Sequence, residues 1–124
     1  MTQRGDIPAV LVVEDEVLIR MSIADSIAEA GFVVYEAANA DQAIRLMEAH
    51  GDIRILFTDI DMPGSMDGLR LAEAVRHRWP PVKILITSGH IRIKPEELPV
   101  EGRFFAKPYD PAQVVSTMQD LLAA

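Results

Sequence analysis

Residues 53–61 read IRILFTDID, a largely apolar run that ends in two aspartates. Its length and its β-branched residues favour a strand that is covered on both faces. Similar runs stand at 9–13 (AVLVV) and 83–87 (KILIT). Several such strands in one chain are typical of a parallel sheet.

Longer stretches with helical spacing separate the apolar runs. The pattern predicts strands and helices that alternate along the chain. The strands are expected at 9–13, 33–37, 53–58, 83–87 and 103–106, and the helices at 17–30, 40–50, 68–78 and 111–122. This alternation implies right-handed crossovers between parallel strands, so the fold class is α/β with a doubly wound sheet.

Residues at the helix ends support these boundaries. Asn39 can cap the second helix with Gln42 as its capping-box partner, and Asp110 precedes a proline at the start of the last helix. Gly31 and Gly51 follow the first two helices, where a left-handed residue costs least without a β-carbon.

Each helix also carries an apolar stripe that we expect to face the sheet. The stripes are Val17, Met21, Ala24 and Ala28 in the first helix, Ala40, Ile44 and Met47 in the second, Leu69, Ala72 and Val75 in the third, and Val114, Val115, Met118 and Leu121 in the last.

Composition narrows the class of protein. The chain has 124 residues, 49% of them hydrophobic, which is the size and composition of one globular domain. We expect a single domain over 1–124, with residues 1–8 flexible and no attached output domain. The absence of cysteine excludes disulfides and zinc-cysteine sites, and a net charge of -7 argues against direct nucleic-acid binding. No stretch has the apolar core of a signal peptide or the roughly 20 apolar residues of a membrane span. We therefore expect a cytoplasmic protein without membrane insertion.

Polar side chains follow four of the predicted strands. They are Glu14-Asp15-Glu16, Asp59-Ile60-Asp61, Thr87-Ser88-Gly89 and Lys107-Pro108. Ligands of open α/β sheets bind beyond the carboxyl ends of the strands, so these groups should meet at one edge. Crowded carboxylates need a cation, and their hard oxygens suit Mg²⁺. A carboxylate such as Asp59 can also attack a phosphoryl group while Mg²⁺ and a lysine neutralise the developing charge.

In this order the motifs resemble those of the response-regulator receiver family of two-component signalling. The resemblance runs from Val10 to Leu122 and rests on the acidic pair, on 59–63 leading to Asp67-Gly68, on Thr87, and on Lys107-Pro108. It implies a flavodoxin-like, five-stranded sheet of order 2-1-3-4-5.

The resemblance also implies roles for single residues. Asp59 would be the phosphoacceptor and a metal ligand, Asp15 a direct Mg²⁺ ligand, Glu14 a ligand through water, and Asp61 a ligand through its backbone carbonyl. Thr87 and Lys107 would each bind a phosphoryl oxygen.

A sensor histidine kinase or a histidine phosphotransfer protein would phosphorylate the domain, which would act as a signalling phosphoacceptor rather than an enzyme. A downstream protein target would read the changed conformation. Pro108 would follow a cis peptide bond.

Three features depart from the family pattern. The loop 63–68 is one residue longer than usual, and Phe104 stands where the switch aromatic is commonly tyrosine. Pro95 and Pro99 interrupt the region of the fourth family helix, so we expect a shortened or irregular segment there.

Other classes remain open at this point. Asp59-Ile60-Asp61 also matches the Asp-x-Asp motif of haloacid-dehalogenase-type phosphatases, which would use Asp59 and Asp61. A flavodoxin-like cofactor binder and a phosphate-independent interaction module are further alternatives. No histidine of the chain is assigned to phosphotransfer.

Overall fold

The computed structural model describes residues 7–61, 67–89 and 103–123. The strands are β1 (Ala9–Val13), β2 (Val33–Ala37), β3 (Ile53–Asp59), β4 (Lys83–Ser88) and β5 (Arg103–Ala106), and the helices are α1 (Val17–Glu29), α2 (Ala40–Ala49), α3 (Gly68–Arg78) and α4 (Pro111–Ala123). Every predicted element is confirmed, with each end within one residue of its expected position. The expected irregular segment around Pro95 and Pro99 and the long loop after Pro63 lie outside the described residues.

The sheet is parallel throughout and has the predicted order β2-β1-β3-β4-β5. The chain runs outward from β1 to β2 and then returns to place β3 on the other side of β1. This reversal puts a crevice beyond the carboxyl ends of β1 and β3, where open α/β sheets bind ligands.

The core lies on both faces of the sheet. On one face Leu11 and Leu56 pack against Met47 of α2 and Leu71 of α3. On the other face Val12, Phe57 and Leu85 pack against Ile23 and Ile27 of α1 and Met118 of α4. The predicted inner faces of α2, α3 and α4 are confirmed by the burial of Ala40, Met47, Ala72, Val75, Val114 and Met118.

The predicted inner face of α1 is wrong at Val17, Met21 and Ala28, which are exposed, and is confirmed at Ala24. Val17 and Met21 are 53% and 52% exposed, whereas Ile23, Ala24 and Ile27 are buried. The helix is rotated about its axis relative to the predicted orientation. Arg20, in its first turns, lies toward the edge of the sheet, where its guanidinium donates to the carbonyl oxygen of Glu14.

The helix ends agree with most of the sequence signals. Gly31 has a φ of 101°, the left-handed conformation expected of it. Gly51 does not adopt that conformation, because α2 ends instead with His50 in an extended conformation and its ring stacked 4.1 Å from that of Tyr35. Asn39 Oδ1 accepts a hydrogen bond from Gln42 N at 2.9 Å, which confirms the cap.

One irregularity interrupts the pairing of β1 with β3. Ala9 pairs with Ile53, but Val10 pairs with Ile55, so Arg54 is an extra residue on β3. Arg54 is exposed, and the pairing is regular from Ile55 onward. The bulge therefore sits near the start of β3, several residues before Asp59.

Within the described ranges, no helix has the length and apolar character needed to cross a membrane.

Candidate functional site

Glu14 stands directly after β1 and is 3% exposed. Its Oε1 accepts a hydrogen bond from Lys107 Nζ at 2.7 Å, and its Oε2 accepts one from Glu16 N at 3.1 Å. Burial raises the pKa of this carboxyl above its ordinary value, and the hydrogen bonds from Lys107 and Glu16 oppose that rise only in part. Glu14 is therefore a fixed residue of the site and not a solvated turn carboxylate.

Asp59 ends β3 and is 2% exposed. Its Oδ2 accepts a hydrogen bond from Lys107 Nζ at 3.0 Å, and its Oδ1 accepts one from Asp61 N at 3.2 Å. Asp59 pairs with Thr87 of β4, and this pairing fixes the position of Asp59 along the strand direction. The carboxylate is thus held by an ammonium and a backbone N–H.

Lys107 follows β5, and its backbone N donates to Ser88 O at 2.9 Å. The expected cis peptide bond between Lys107 and Pro108 is present. Burial would lower the pKa of the Lys107 ammonium, but hydrogen bonds to Glu14 and Asp59, together with their charges, raise it well above its ordinary value. Lys107 is therefore positively charged at every physiological pH.

Three carboxylates form a cluster at this edge of the sheet. One oxygen each of Glu14, Asp15 and Asp59 lies within 4.8 Å of the others. Three negative charges beside the single ammonium of Lys107 leave an excess that a divalent cation would neutralise. All three groups offer hard carboxylate oxygens, so the donor set fits Mg²⁺.

Asp61 lies beside this cluster, but its carboxylate points to a different partner. Its Oδ2 accepts a hydrogen bond from Ser88 Oγ at 2.7 Å, which joins the connection after β3 to the end of β4. Glu16 is exposed and directly precedes α1.

Thr87 contributes a hydroxyl that is ready to form a hydrogen bond. The residue is 2% exposed, and in the described parts of the chain its Oγ1 is the one buried side-chain N or O atom without a hydrogen-bond partner. A buried hydroxyl without a partner costs about 1–3 kcal/mol of stability. A hydrogen-bond acceptor that binds at the site would remove this cost.

Phe104 lies on β5 and pairs with Ile86 of β4. Its half-buried ring packs against the cluster of Ile60, Ala72, Ile84 and Ile86. The predicted switch position is therefore close in the sheet to Thr87, but it is an apolar contact without a hydroxyl.

The start of α3 approaches the site through backbone atoms. Asp67 Oδ1 caps the helix by accepting from Arg70 N at 2.9 Å, and Gly68 N donates to Ile60 O at 3.1 Å. A β-carbon on Gly68 would overlap the backbone carbonyl of Asp59. Glycine is thus required for this close approach.

Two contacts of the site were not predicted from the sequence. Arg20 Nη1 donates to the Glu14 carbonyl oxygen at 2.8 Å, and the Ser88 hydroxyl donates to Asp61 Oδ2. A signal for Arg20 exists, because it occupies the first position of the i, i+3, i+4, i+7 stripe that Ile23, Ala24 and Ile27 complete. An arginine in that position next to an acidic loop indicates a polar contact.

In chemical terms the site offers a carboxylate nucleophile, a group of oxygens for a cation, an ammonium for anionic oxygens and an unpaired hydroxyl. These are the parts that transfer of a phosphoryl group to a carboxylate requires.

Comparison with known proteins agrees with this chemistry. The family model of the response regulator receiver domain matches residues 10–119. The chain is 32% identical over 117 residues to the sensor kinase CckA of Brucella abortus, an alignment that covers 91% of this chain and 12% of that protein. It is 32% identical over 116 residues to the two-component response regulator PhoP of Pseudomonas aeruginosa, covering 90% of this chain and 50% of that one.

Among solved structures, a response regulator receiver protein from Sinorhizobium medicae superposes with a TM-score of 0.87 at 25% identity, covering 96% of this chain and 97% of that one. The chain therefore spans only part of the length of the sequence relatives it matches, but nearly all of this receiver structure. A family match over most of the chain, together with this fold, shows that the chain belongs to the response regulator receiver domain family of two-component systems.

Proposed function

We propose that the domain accepts a phosphoryl group on Asp59 and signals by a change of conformation. The observation that carries the proposal is the position of the Asp59 carboxylate, which lies in the cluster with Glu14 and Asp15 and 3.0 Å from Lys107 Nζ. Asp59 is the carboxylate of this cluster that ends the strand next to β1, at the crevice where the strand order reverses.

In the proposed step an Asp59 carboxylate oxygen attacks the phosphorus of the donor. A new O–P bond forms while the P–N bond of a phosphohistidine, or the P–O bond of acetyl phosphate, breaks. The leaving group keeps the electron pair: acetate leaves as the carboxylate anion, and the histidine leaves as neutral imidazole with a proton from the donor side or from water. Bound Mg²⁺, held by Asp15, Asp59, the Asp61 backbone carbonyl and Glu14 through water, would supply charge neutralisation to the transferred group.

Lys107 and Thr87 have complementary roles after transfer. Lys107 is shared between Glu14 and Asp59, so its ammonium can turn toward a phosphoryl oxygen without leaving the site. The Thr87 hydroxyl gains the acceptor that it lacks. A conformation with both contacts differs from the unmodified one, which is the requirement for a shift of population.

The partners of the proposal follow from its chemistry. The phosphoryl donor is a sensor histidine kinase or a histidine phosphotransfer protein, and a downstream protein reads the phosphorylated form. The domain acts as a phosphoacceptor and not as a turnover enzyme. A cytoplasmic location is part of the same proposal and rests on the sequence pattern of the chain.

A haloacid-dehalogenase-type phosphatase is not favoured. Its second aspartate would act as an acid beside the nucleophile, but the Asp61 carboxylate is hydrogen-bonded to Ser88. The family match also assigns the chain to receiver domains.

Mass spectrometry after incubation with acetyl phosphate and Mg²⁺ tests the proposal. We expect one added phosphoryl group in the native protein and none in Asp59→Asn, because an amide is not a nucleophile here. Asp25→Asn, on the exposed surface of α1, is the matched control and should be labelled like the native protein. Full labelling of Asp59→Asn would reject Asp59 as the acceptor, and many turnovers of nitrophenyl phosphate would favour the phosphatase.

A further inference from the structure

All the polar groups of Glu14 are held by neighbours. Its N donates to Ala37 O at 3.0 Å, its two carboxylate oxygens accept from Lys107 and Glu16, and its carbonyl oxygen accepts from Arg20 Nη1 at 2.8 Å. Three of these contacts come from Ala37 at the end of β2, from Glu16 two residues further along the chain, and from Lys107. The fourth comes from a helix residue that has no place in the proposed chemistry.

Arg20 is itself braced on the sheet. Its Nε donates to Glu36 Oε1 at 3.2 Å, and Glu36 lies on β2 opposite Val12. The Arg20 side chain is 17% exposed and that of Glu36 is 43% exposed. An ion pair of this exposure contributes little to stability, so its effect is to orient the guanidinium toward the Glu14 carbonyl.

The Glu14 carbonyl belongs to the same peptide group as the Asp15 N–H, and that group is planar. Because the Glu14 carbonyl oxygen is held by Arg20, the orientation of this peptide plane is fixed, and with it the position of the Asp15 backbone that carries the side chain. The Asp15 carboxylate is one of the three that lie within 4.8 Å of one another. Rotation of this peptide plane would move Asp15 relative to Glu14 and Asp59.

We propose that Arg20 is a positioning residue for the carboxylate cluster: through the Glu14–Asp15 peptide plane it sets the geometry at which Mg²⁺ is bound. The inference rests on the proposed function, in which Asp15 is a direct ligand of that ion. Groups that orient metal ligands without touching the metal typically change the affinity about 10- to 100-fold when removed.

Arginine is suited to this role because its planar guanidinium donates in two directions at once. Here one nitrogen binds the β1–α1 connection and another binds β2. A lysine at this position has one compact ammonium and would not hold both acceptors in the same orientation.

Two measurements test the inference in the full chain, neither of which depends on phosphorylation. Calorimetric titration with MgCl₂ should show a dissociation constant about tenfold higher for Arg20→Ala, and a rise of similar size for Arg20→Lys. In an NMR spectrum without Mg²⁺, the amide ¹⁵N chemical shift of Asp15 should change in both variants. The reason is that the Glu14 carbonyl, which belongs to the same peptide group as the Asp15 nitrogen, loses its hydrogen bond from Arg20 or receives it in another direction.

Controls separate positioning from general destabilisation. Arg45→Ala removes an exposed arginine from α2, and Ile27→Val loosens the buried face of α1; both should keep the native Mg²⁺ affinity and Asp15 shift. Native affinity in both Arg20 variants would overturn the inference, as would an equal loss in Ile27→Val.

Asp15→Ala distinguishes the failure of this inference from failure of the proposed function. A large loss of Mg²⁺ affinity in Asp15→Ala with none in the Arg20 variants rejects only the role of Arg20. Native affinity in Asp15→Ala rejects the metal site itself, and with it the role of Arg20.

Discussion

Gly68 lies with its backbone directly against that of Asp59, so closely that a β-carbon on Gly68 would overlap the Asp59 carbonyl oxygen. The contact is between two main chains, because Gly68 N also donates to Ile60 O at 3.1 Å. The first residue of α3 and the proposed phosphoacceptor therefore cannot move independently. Any side chain at position 68 must displace one of the two backbones.

We predict that Gly68→Ala destabilises the protein and slows labelling by acetyl phosphate. Alanine is the better helix former, but overpacking of this kind costs roughly 1–3 kcal/mol, and here it displaces Asp59, the proposed nucleophile. Urea unfolding and the rate of phosphoryl uptake measure the two effects. Gly51→Ala is the control, since a β-carbon there meets nothing within 4 Å. Equal behaviour of the two variants would contradict the close approach.

Lys107→Ala should lower the free energy of unfolding in the absence of divalent cations. Glu14 and Asp59 are almost fully buried and would lose their shared ammonium, a change that typically costs about 3–5 kcal/mol. Mg²⁺ should restore part of the stability, because it binds the folded state and the cluster has become more negative. Unfolding in EDTA and in MgCl₂ provides the comparison. The exposed Lys83→Ala should change neither value, and a loss in Lys107→Ala that Mg²⁺ leaves untouched would argue against a cation site.

Thr87→Val should raise the stability of the unmodified protein by about 1 kcal/mol, because it replaces a buried, unpaired hydroxyl by a methyl group of similar size. The same variant should lose the change in amide chemical shifts that beryllofluoride induces in the native protein. Thr58→Val is a control of opposite sign, since the Thr58 hydroxyl donates to Asp59 O at 3.0 Å and its removal should destabilise. If Thr87→Val responded to beryllofluoride like the native protein, the Thr87 hydroxyl would have no part in the proposed conformational change.

Tyr109 should make the stability depend on alkaline pH. Burial and the charge of Glu14 raise the pKa of its phenol to about 12 from an ordinary value of 10.0, and Lys107 opposes them in part. Between these values the folded state holds a proton that the unfolded state has lost. The contribution of Tyr109 is therefore complete below pH 10 and disappears as the pH rises through about 12.

Tyr109→Phe should accordingly flatten the decline of the unfolding free energy between pH 10 and 12. Absorbance titration of tyrosinate in Tyr35→Phe, where Tyr109 is the remaining tyrosine, gives its pKa directly. An ordinary pKa in that variant would show that the phenol is solvated.

Most of the fold could be predicted from the sequence because the strands are largely apolar runs and two of the helices carry the predicted caps Asn39 and Asp110. The convergence of Glu14, Asp15, Asp59 and Lys107 followed from their places at the ends of parallel strands.

The face of α1 could not be predicted in the same way. Of the predicted stripe Val17, Met21, Ala24 and Ala28, Ala24 alone is buried. The stripe that faces the protein begins instead with a charged residue, Arg20. Apolar periodicity does not register an arginine that binds a carbonyl. The interlock of Gly68 with Asp59 was hidden for a related reason, since a backbone contact depends on the distance between elements and not on any side chain.

The extra residue Arg54 gives the sheet a place to absorb changes in chain length. The pairing of β3 with β1 is regular again from Ile55 onward. The bulge therefore does not change the register of Asp59 relative to β1 and β4, or the face of the sheet on which its side chain lies. Deletion of one residue at the bulge would leave the alternation from Ile55 to Asp59 intact. Insertion of one residue between Ile55 and Asp59 would turn Asp59, the proposed phosphoacceptor, to the opposite face of the sheet. Among related chains, a change of one residue should therefore be tolerated at the bulge around Arg54 and excluded between Ile55 and Asp59.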